Sequence, residues 1–331
     1  MNTPLDPQNR DAQSQTSALA SEDTPTELAP SSAAEQQPVA LSPQSAGEPP
    51  LFEHWEQTAA PRPARIPHFG HLALLGAMAL LGLLIAALLT RLALHAHLFG
   101  VDTVQQAALN INYTLGSQGI LYLVTFASAF FFFPLLWGKS FFAGLQWNGA
   151  TAWRLRPKLL TCAAACFVLA MLSSLWMNGP KDAPIDKIFR TPGAAWMLFA
   201  FGTTIAPVCE EIIFRGFLLP ALCTTVDWVR EKIEGLAPLP LAEHGHPQWS
   251  RMALVLGAIF TSLPFAAIHA VQTNFAWGPL TLLLMVSLIL CIVRLRTRSL
   301  AASVLVHAVY NFLLFALMLI GTAGFRHLEK L

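Results

Sequence analysis

From residue 69 onward, apolar stretches of about twenty residues recur along the chain and alternate with short polar stretches. A helix rises about 1.5 Å per residue, so a stretch of this length crosses the ~30 Å hydrocarbon layer of a bilayer. The pattern predicts membrane-spanning helices near residues 71–94, 117–137, 158–178, 194–222, 252–271, 277–293 and 299–320. The predicted fold is therefore all-α, a polytopic membrane helix bundle of seven to eight transmembrane helices.

The fourth stretch, residues 194–222, is too long for one straight crossing. It contains Pro207, and proline inside a helix removes a backbone donor and clashes with the preceding turn. We expect this stretch to bend, or to split into a membrane helix and a second helix.

Residues 1–66 have a different composition from the rest of the chain. They carry nine acidic residues, three basic residues and ten prolines, with little apolar periodicity. Such a segment buries too little apolar surface to offset the entropy of ordering. We predict three regions: a disordered tail over 1–66, N-terminal transmembrane helices over 67–180, and a second membrane region over 181–331.

The composition agrees with a membrane protein. The chain is 54% hydrophobic and 12% charged, against about 25% charged residues in an average soluble domain. The net charge of +1 gives no basis for nucleic-acid binding. Lys and Arg are more numerous in the predicted loops on the side of the N-terminus, which predicts a cytoplasmic N-terminal tail.

Three charged residues lie inside the fourth apolar stretch, in CEEIIFRGFLLP (209–220). A charge at membrane depth costs about 2.5 to 3.5 kcal/mol, so such residues pair or serve a function. Glu211 and Arg215 are four residues apart and are expected to pair on one helix face. Glu210 points about 100° away and need not share that partner.

Two histidines and an asparagine lie in later apolar stretches. His307 and Asn311 are four residues apart, and we expect both to face the same neighbour. Phe265 lies one turn before His269 and is expected to pack beside the imidazole. Straight helices separate His269 from His307 along the membrane, so either Pro264 breaks the helix or the predicted span is shifted.

These side chains suit the activation of water. A carboxylate or imidazole accepts a proton from water, a second imidazole and an amide stabilise the resulting oxyanion, and an ion pair holds the geometry. Taken one at a time, each residue has an equally good structural explanation, as a buried ion pair or as a histidine bonded to a backbone carbonyl. Structural pairing accounts for Glu211 and Arg215 but leaves the remaining residues unexplained.

The three motifs in order, EExxxR, FxxxH and HxxxN, resemble those of the CPBP family of intramembrane proteases. This family comprises CAAX proteases and bacteriocin-processing proteins, and it is related to the type II prenyl-protein endopeptidases. The stretches PIDKIF (184–189) and RTRSLAASVLVH (296–307) are also similar to the family. The resemblance covers about residues 180–320 and implies that residues 181–331 form a catalytic membrane core.

The resemblance implies an endopeptidase that cuts a membrane-associated or prenylated (CAAX-type) protein or peptide. It implies catalytic roles for four residues and supporting roles for three: Glu210, His269, His307 and Asn311, and then Glu211, Arg215 and Phe265. In this picture Glu210 is the base and His269 holds the attacking water. His307 and Asn311 form the oxyanion hole. The expected location is the bacterial cytoplasmic (inner) membrane.

The family was long described as metalloproteases. No HExxH motif occurs among the ten histidines, and we prefer a mechanism without a cofactor. The alternative is zinc or another divalent metal bound by Glu210, His269 and His307. The expected partners are a membrane-embedded or lipidated substrate and the lipid bilayer.

Two other function classes stay open from the sequence. One is a noncatalytic binding, immunity or scaffold protein of the same family. The other is a solute transporter, although the two halves of the chain show no paired internal repeat of the kind many transporters have.

Overall fold

The computed structural model describes residues 65–176, 191–241 and 246–327. The predicted tail over 1–66 lies almost entirely outside these residues, as does PIDKIF (184–189), and the division of the chain into three regions stays a prediction. Within the described residues the secondary structure is helical, with no strand. The predicted all-α class is confirmed.

Seven helices in the described part of the chain are long and apolar enough to span a membrane. Six of them are single elements: α1 (Phe69–His95), α3 (Ile111–Trp137), α6 (Arg156–Trp176), α10 (Arg251–Ile268), α11 (Trp277–Thr297) and α12 (Leu300–Gly321). The connections hold a 3₁₀ turn (Leu98–Gly100) and three short helices, α2 (Val104–Leu109), α4 (Phe141–Gly144) and α5 (Gly149–Arg154). The seven predicted spans are found; the fourth continues to Glu234, twelve residues beyond its predicted end, and the other ends differ by six residues or fewer.

The fourth span consists of four pieces. They are α7 (Pro192–Thr203), α8 (Ile205–Glu211), a π-helical segment (Ile212–Leu218) and α9 (Leu219–Glu234). The break falls at Thr204, with φ −122° and ψ −72°. The ring of a helical proline clashes with the carbonyl four residues earlier, here that of Thr203, which explains a break at this point. The bend expected at Pro207 is confirmed, whereas the π-helical segment was not predicted.

Helices α1 and α3 pack closely against each other. A Cβ atom at Gly82 of α1 would lie 2.9 Å from the carbonyl oxygen of Leu121 in α3. Small residues permit this kind of close backbone approach between membrane helices. The pair is therefore held by close packing at a glycine, together with one hydrogen bond between the hydroxyls of Thr90 and Ser117 at 2.8 Å.

Helix α12 occupies the centre of the remaining helices and contacts α6, α7, α8 and α11. Its first residues are fixed to the loop between α4 and α5. The Leu300 backbone N–H donates to the Gln146 carbonyl at 3.0 Å, and the Ser299 hydroxyl donates to the Asn148 carbonyl at 2.8 Å. This helix carries His307 and Asn311 to the charged motif of the fourth span.

Candidate active site

Glu211 and Arg215 form a fully buried ion pair. Arg215 Nη1 donates to Glu211 Oε1 at 2.7 Å, and both side chains are 0% exposed. Arg215 Nη2 also donates to Ser287 of α11, to the backbone oxygen at 3.0 Å and to the hydroxyl at 2.7 Å. The pairing predicted from the spacing of the two residues is confirmed.

His307 lies between the two glutamates. Its Nδ1 is 3.0 Å from Glu211 Oε1, and its Nε2 is 3.8 Å from Glu210 Oε2. Glu210 therefore faces His307 and has no bond to Arg215, as its direction on the helix indicated. A carboxylate from the fourth span and an imidazole from α12 meet here, although 96 residues separate Glu211 from His307.

The hydrogen bonds indicate the charge of this cluster. Glu211 Oε1 accepts from both Arg215 and His307, so Glu211 is ionised and Nδ1 of His307 carries a proton. Glu211 therefore links the Arg215 guanidinium to the His307 ring, and Nε2 of that ring is directed toward Glu210.

His269 follows directly after α10 and lies half-buried. Its Nδ1 is 2.8 Å from the carbonyl oxygen of Phe265. A carbonyl only accepts, so Nδ1 is the donor, and in the neutral ring Nε2 keeps its lone pair. This nitrogen is then free to accept a hydrogen bond from water.

The path of α10 corrects one expectation. The helix continues through Pro264 and ends at Ile268, so a break at Pro264 is wrong and the shifted boundary is right. Proline is tolerated inside membrane helices because neighbouring helices and local adjustment satisfy the freed backbone groups.

Phe265 brings the two imidazoles close together. Its ring centroid lies 5.1 Å from that of His269 and 5.8 Å from that of His307. The Arg215 guanidinium lies 4.6 Å from the same ring centroid, a distance typical of a cation–π contact. The predicted packing of Phe265 beside His269 is confirmed, and one buried ring contacts all three motifs.

Asn311 bonds a different piece of the fourth span from His307. Its Nδ2 donates to the Gly202 carbonyl of α7 at 2.8 Å, whereas His307 contacts Glu210 and Glu211 of α8, so both side chains face the same span, as expected. Gly202 is in the last turn of α7, where carbonyls lack the partners that a continuing helix provides. An amide has two N–H groups, and the second remains for another acceptor.

Arg294 is a buried charge that sequence reasoning assigned to a loop. The predicted span ended at residue 293, whereas α11 runs to Thr297 and holds Arg294 at 5% exposure. Its three nitrogens donate to Arg215 O at 3.3 Å, Gln146 Oε1 at 2.9 Å and Leu145 O at 3.2 Å. Arg294 follows Ser287 by seven residues, or two helical turns, and this spacing is a signal that could have placed both on the face towards Arg215.

Tyr122 of α3 is a second residue that the sequence did not reveal. It interacts electrostatically with Glu210. Its hydroxyl accepts from Gln118 Nε2 at 2.9 Å, and its ring stacks on Phe201 with centroids 6.1 Å apart. Helix α3 therefore contributes to the surroundings of Glu210.

The donor set does not fit a three-ligand metal site. Among the described residues, no three His, Cys, Asp or Glu side chains come together in a group that could hold a metal ion. The Nδ1 atoms of His269 and His307 are both engaged by protein oxygens. A mechanism without a metal cofactor stays a prediction.

A family model described as type II CAAX prenyl endopeptidase Rce1-like matches residues 192–313. No curated protein and no solved structure matches the chain. The matched stretch begins at the first residue of α7 and contains all three motifs. The family resemblance carried by those motifs is confirmed over residues 192–313, the stretch of this membrane protein that is similar to the Rce1-like type II CAAX prenyl endopeptidases.

Proposed function

We propose that this protein is an intramembrane endopeptidase that hydrolyses a peptide bond of a membrane-associated or prenylated protein, with water activated by Glu210. The match to the Rce1-like family supports a CAAX-type intramembrane protease in general. The observation that carries the specific proposal is the position of His307, between Glu210 and Glu211 and against the ring of Phe265.

Glu210 and His269 act on the attacking water. Glu210 accepts one proton of the water as its oxygen attacks the carbonyl carbon of the substrate. The lone pair on Nε2 of His269 accepts a hydrogen bond from the water and orients it. When the C–N bond breaks, the proton passes from Glu210 to the leaving amine.

His307 and Asn311 act on the developing oxyanion. In the proposed mechanism His307 acts with a proton on both ring nitrogens. The 3.8 Å between His307 Nε2 and Glu210 Oε2 exceeds hydrogen-bond length, so the N–H at Nε2 is available to a reacting oxygen. The second N–H of Asn311 is the other donor. Glu211 holds Nδ1–H of His307, which orients the ring and stabilises its positive charge, and Arg215 fixes Glu211 in turn.

The test compares two carboxylates of the same span. The full chain, purified in detergent, is incubated with a fluorogenic peptide whose farnesylated cysteine is followed by three residues, and with the same peptide lacking the farnesyl group. Glu210→Gln is expected to lower kcat/KM by about 10²- to 10⁴-fold, the usual contribution of a general base. Glu234→Gln removes a carboxylate that pairs only with Arg230 at the exposed end of α9 and is expected to leave the rate unchanged.

Other outcomes point to the alternatives. Equal cleavage by Glu210→Gln and the unmodified chain contradicts the proposal, and loss of cleavage with a chelator assigns a metal to the reaction. Cleavage of the farnesylated peptide alone identifies a prenylated substrate class. If neither peptide is cut and Glu210→Gln behaves like the unmodified chain in cells, the noncatalytic scaffold is supported.

A further inference from the structure

A cavity of about 510 Å³ opens where α3 ends and α12 begins, and its lining includes Lys139, Gln146, His246 and Arg298. A smaller cavity of about 160 Å³ shares Gln146 and Arg298 and is also lined by Arg294. None of the described residues that line either cavity is acidic. We call the two together the basic cavity.

The two exposed cations of the basic cavity have no ion-pair partner in the part of the chain that the structure describes. Lys139 and Arg298 are exposed, and neither forms an ion pair with any residue in the described ranges. Arg294 donates to the neutral oxygens of Arg215, Gln146 and Leu145 and interacts electrostatically with the buried Glu211. Two cationic side chains therefore lie at this space without a counter-charge among the described residues.

The basic cavity lies at the level of lipid headgroups. Helix α3 ends at Trp137, α11 ends at Thr297 and α12 begins at Leu300, so the cavity is at the ends of three spanning helices. Trp147 and Trp249 line it, and tryptophan is enriched at the interface between membrane and water.

Gln146 is oriented as a donor toward the cavity. Its Oε1 accepts from Arg294 Nη1, and because arginine only donates, the amide orientation is fixed. The two N–H groups on Nε2 of Gln146 remain to donate to an anion. Lysine, arginine and amide donors together are the usual partners of a phosphate group.

We propose that the basic cavity binds a phosphate group, supplied by an anionic lipid headgroup or by free phosphate. Basic pockets between membrane helices recognise anionic headgroups through the same donors. The site is joined to the candidate active site, since Arg294 bonds both Gln146 in the cavity and the backbone of Arg215. The test measures binding and does not depend on the proposed peptidase activity.

The experiment follows the thermal unfolding midpoint of the full chain in detergent micelles during titration with dioleoylphosphatidylglycerol, with zwitterionic dioleoylphosphatidylcholine, or with inorganic phosphate. A ligand that binds the folded state raises the midpoint, which yields its affinity. Each removed charge is expected to weaken phosphatidylglycerol binding by about fivefold. The double variant Lys139→Gln/Arg298→Gln should therefore lose about 25-fold in affinity.

Arg296→Gln is the matched control. Arg296 is exposed in the last turn of α11 and does not line the basic cavity, so its removal should change the affinity less than about twofold. Equal losses in Arg296→Gln and the double variant would show a general surface potential and overturn the proposal. Unchanged binding by the double variant would also overturn it.

A comparison of the titrations with inorganic phosphate and with phosphatidylglycerol identifies the source of the phosphate group. If inorganic phosphate stabilises the protein and the double variant abolishes this effect, free phosphate is the ligand. If only phosphatidylglycerol stabilises the protein, and the double variant weakens this effect, the ligand is a lipid. The unliganded midpoint checks folding, and if the double variant does not fold, the single variant Lys139→Gln carries the same comparison with a fivefold expected loss.

Discussion

Two parts of this bundle are held together by different means. The α1–α3 pair packs closely at Gly82 and has one hydroxyl–hydroxyl bond, between Thr90 and Ser117, whereas the segment around Arg215 is held by a buried network of charges. Lipid is as apolar as a leucine side chain, so helices associate in a membrane by close packing or by polar bonds. The difference coincides with the family match, because the helices held by charge lie within the stretch that matches the family model and the α1–α3 pair lies outside it.

The largest expected effect comes from breaking the charged network. Arg215→Met leaves Glu211 buried without its guanidinium partner, and loss of one partner of a buried pair costs about 3–5 kcal/mol. The free energy of unfolding, measured by denaturant titration in detergent, should fall by this amount. Arg230→Met removes an exposed arginine paired at the same i, i+4 spacing and should cost less than about 1 kcal/mol. Equal stability of the two variants would contradict the comparison.

An intermediate effect is expected from crowding the apolar pair. In Gly82→Ala the new Cβ lies 2.9 Å from Leu121 O and 3.1 Å from Thr125 Oγ1. Overpacking of this kind costs about 1–3 kcal/mol. Gly76→Ala, in the same helix, is the control, since a Cβ atom at Gly76 would have no other atom within 4 Å. If both variants unfold at the same denaturant concentration, the close approach at Gly82 does not matter for stability.

The smallest effect is expected from removing one hydrogen bond of the charged network. Ser287→Ala removes the hydroxyl that accepts from Arg215 at 2.7 Å but keeps the backbone oxygen at 3.0 Å. The expected loss is about 1 kcal/mol, the net value of one hydrogen bond. Ser262→Ala is the control, because that buried hydroxyl donates to a carbonyl of its own helix. A loss above that of Arg215→Met would mean that Ser287, and not Glu211, is the main partner.

The sequence predicted the spans and the buried Glu211–Arg215 pair for a clear physical reason. A charged side chain in an apolar stretch is costly, so Glu211 and Arg215 stand out against their surroundings. Their i, i+4 spacing also predicts a local bond, which the structure contains.

The partners contributed by distant helices could not be predicted in this way. Gln146 and Arg294 are 148 residues apart and meet only through tertiary packing. Asn311 bonds Gly202 because α7 ends nearby, and the spacing of Asn311 from His307 contains no information on that break. Local pattern therefore reveals which residues need partners, whereas the packing of the helices decides which partners they receive.

The π-helical segment (Ile212–Leu218) changes which side of the fourth span faces each neighbouring helix. Its bonds reach one residue further than those of an α-helix, as in the bond from Leu219 N–H to Phe214 O. Each residue of an α-helix turns the chain by about 100°, so one added residue lets α8 face α12 while α9 faces α10. The number of residues between Glu211 and Leu219 is therefore constrained more strictly than the identity of most of them, and apart from Arg215 this stretch should tolerate substitutions better than the gain or loss of a single residue.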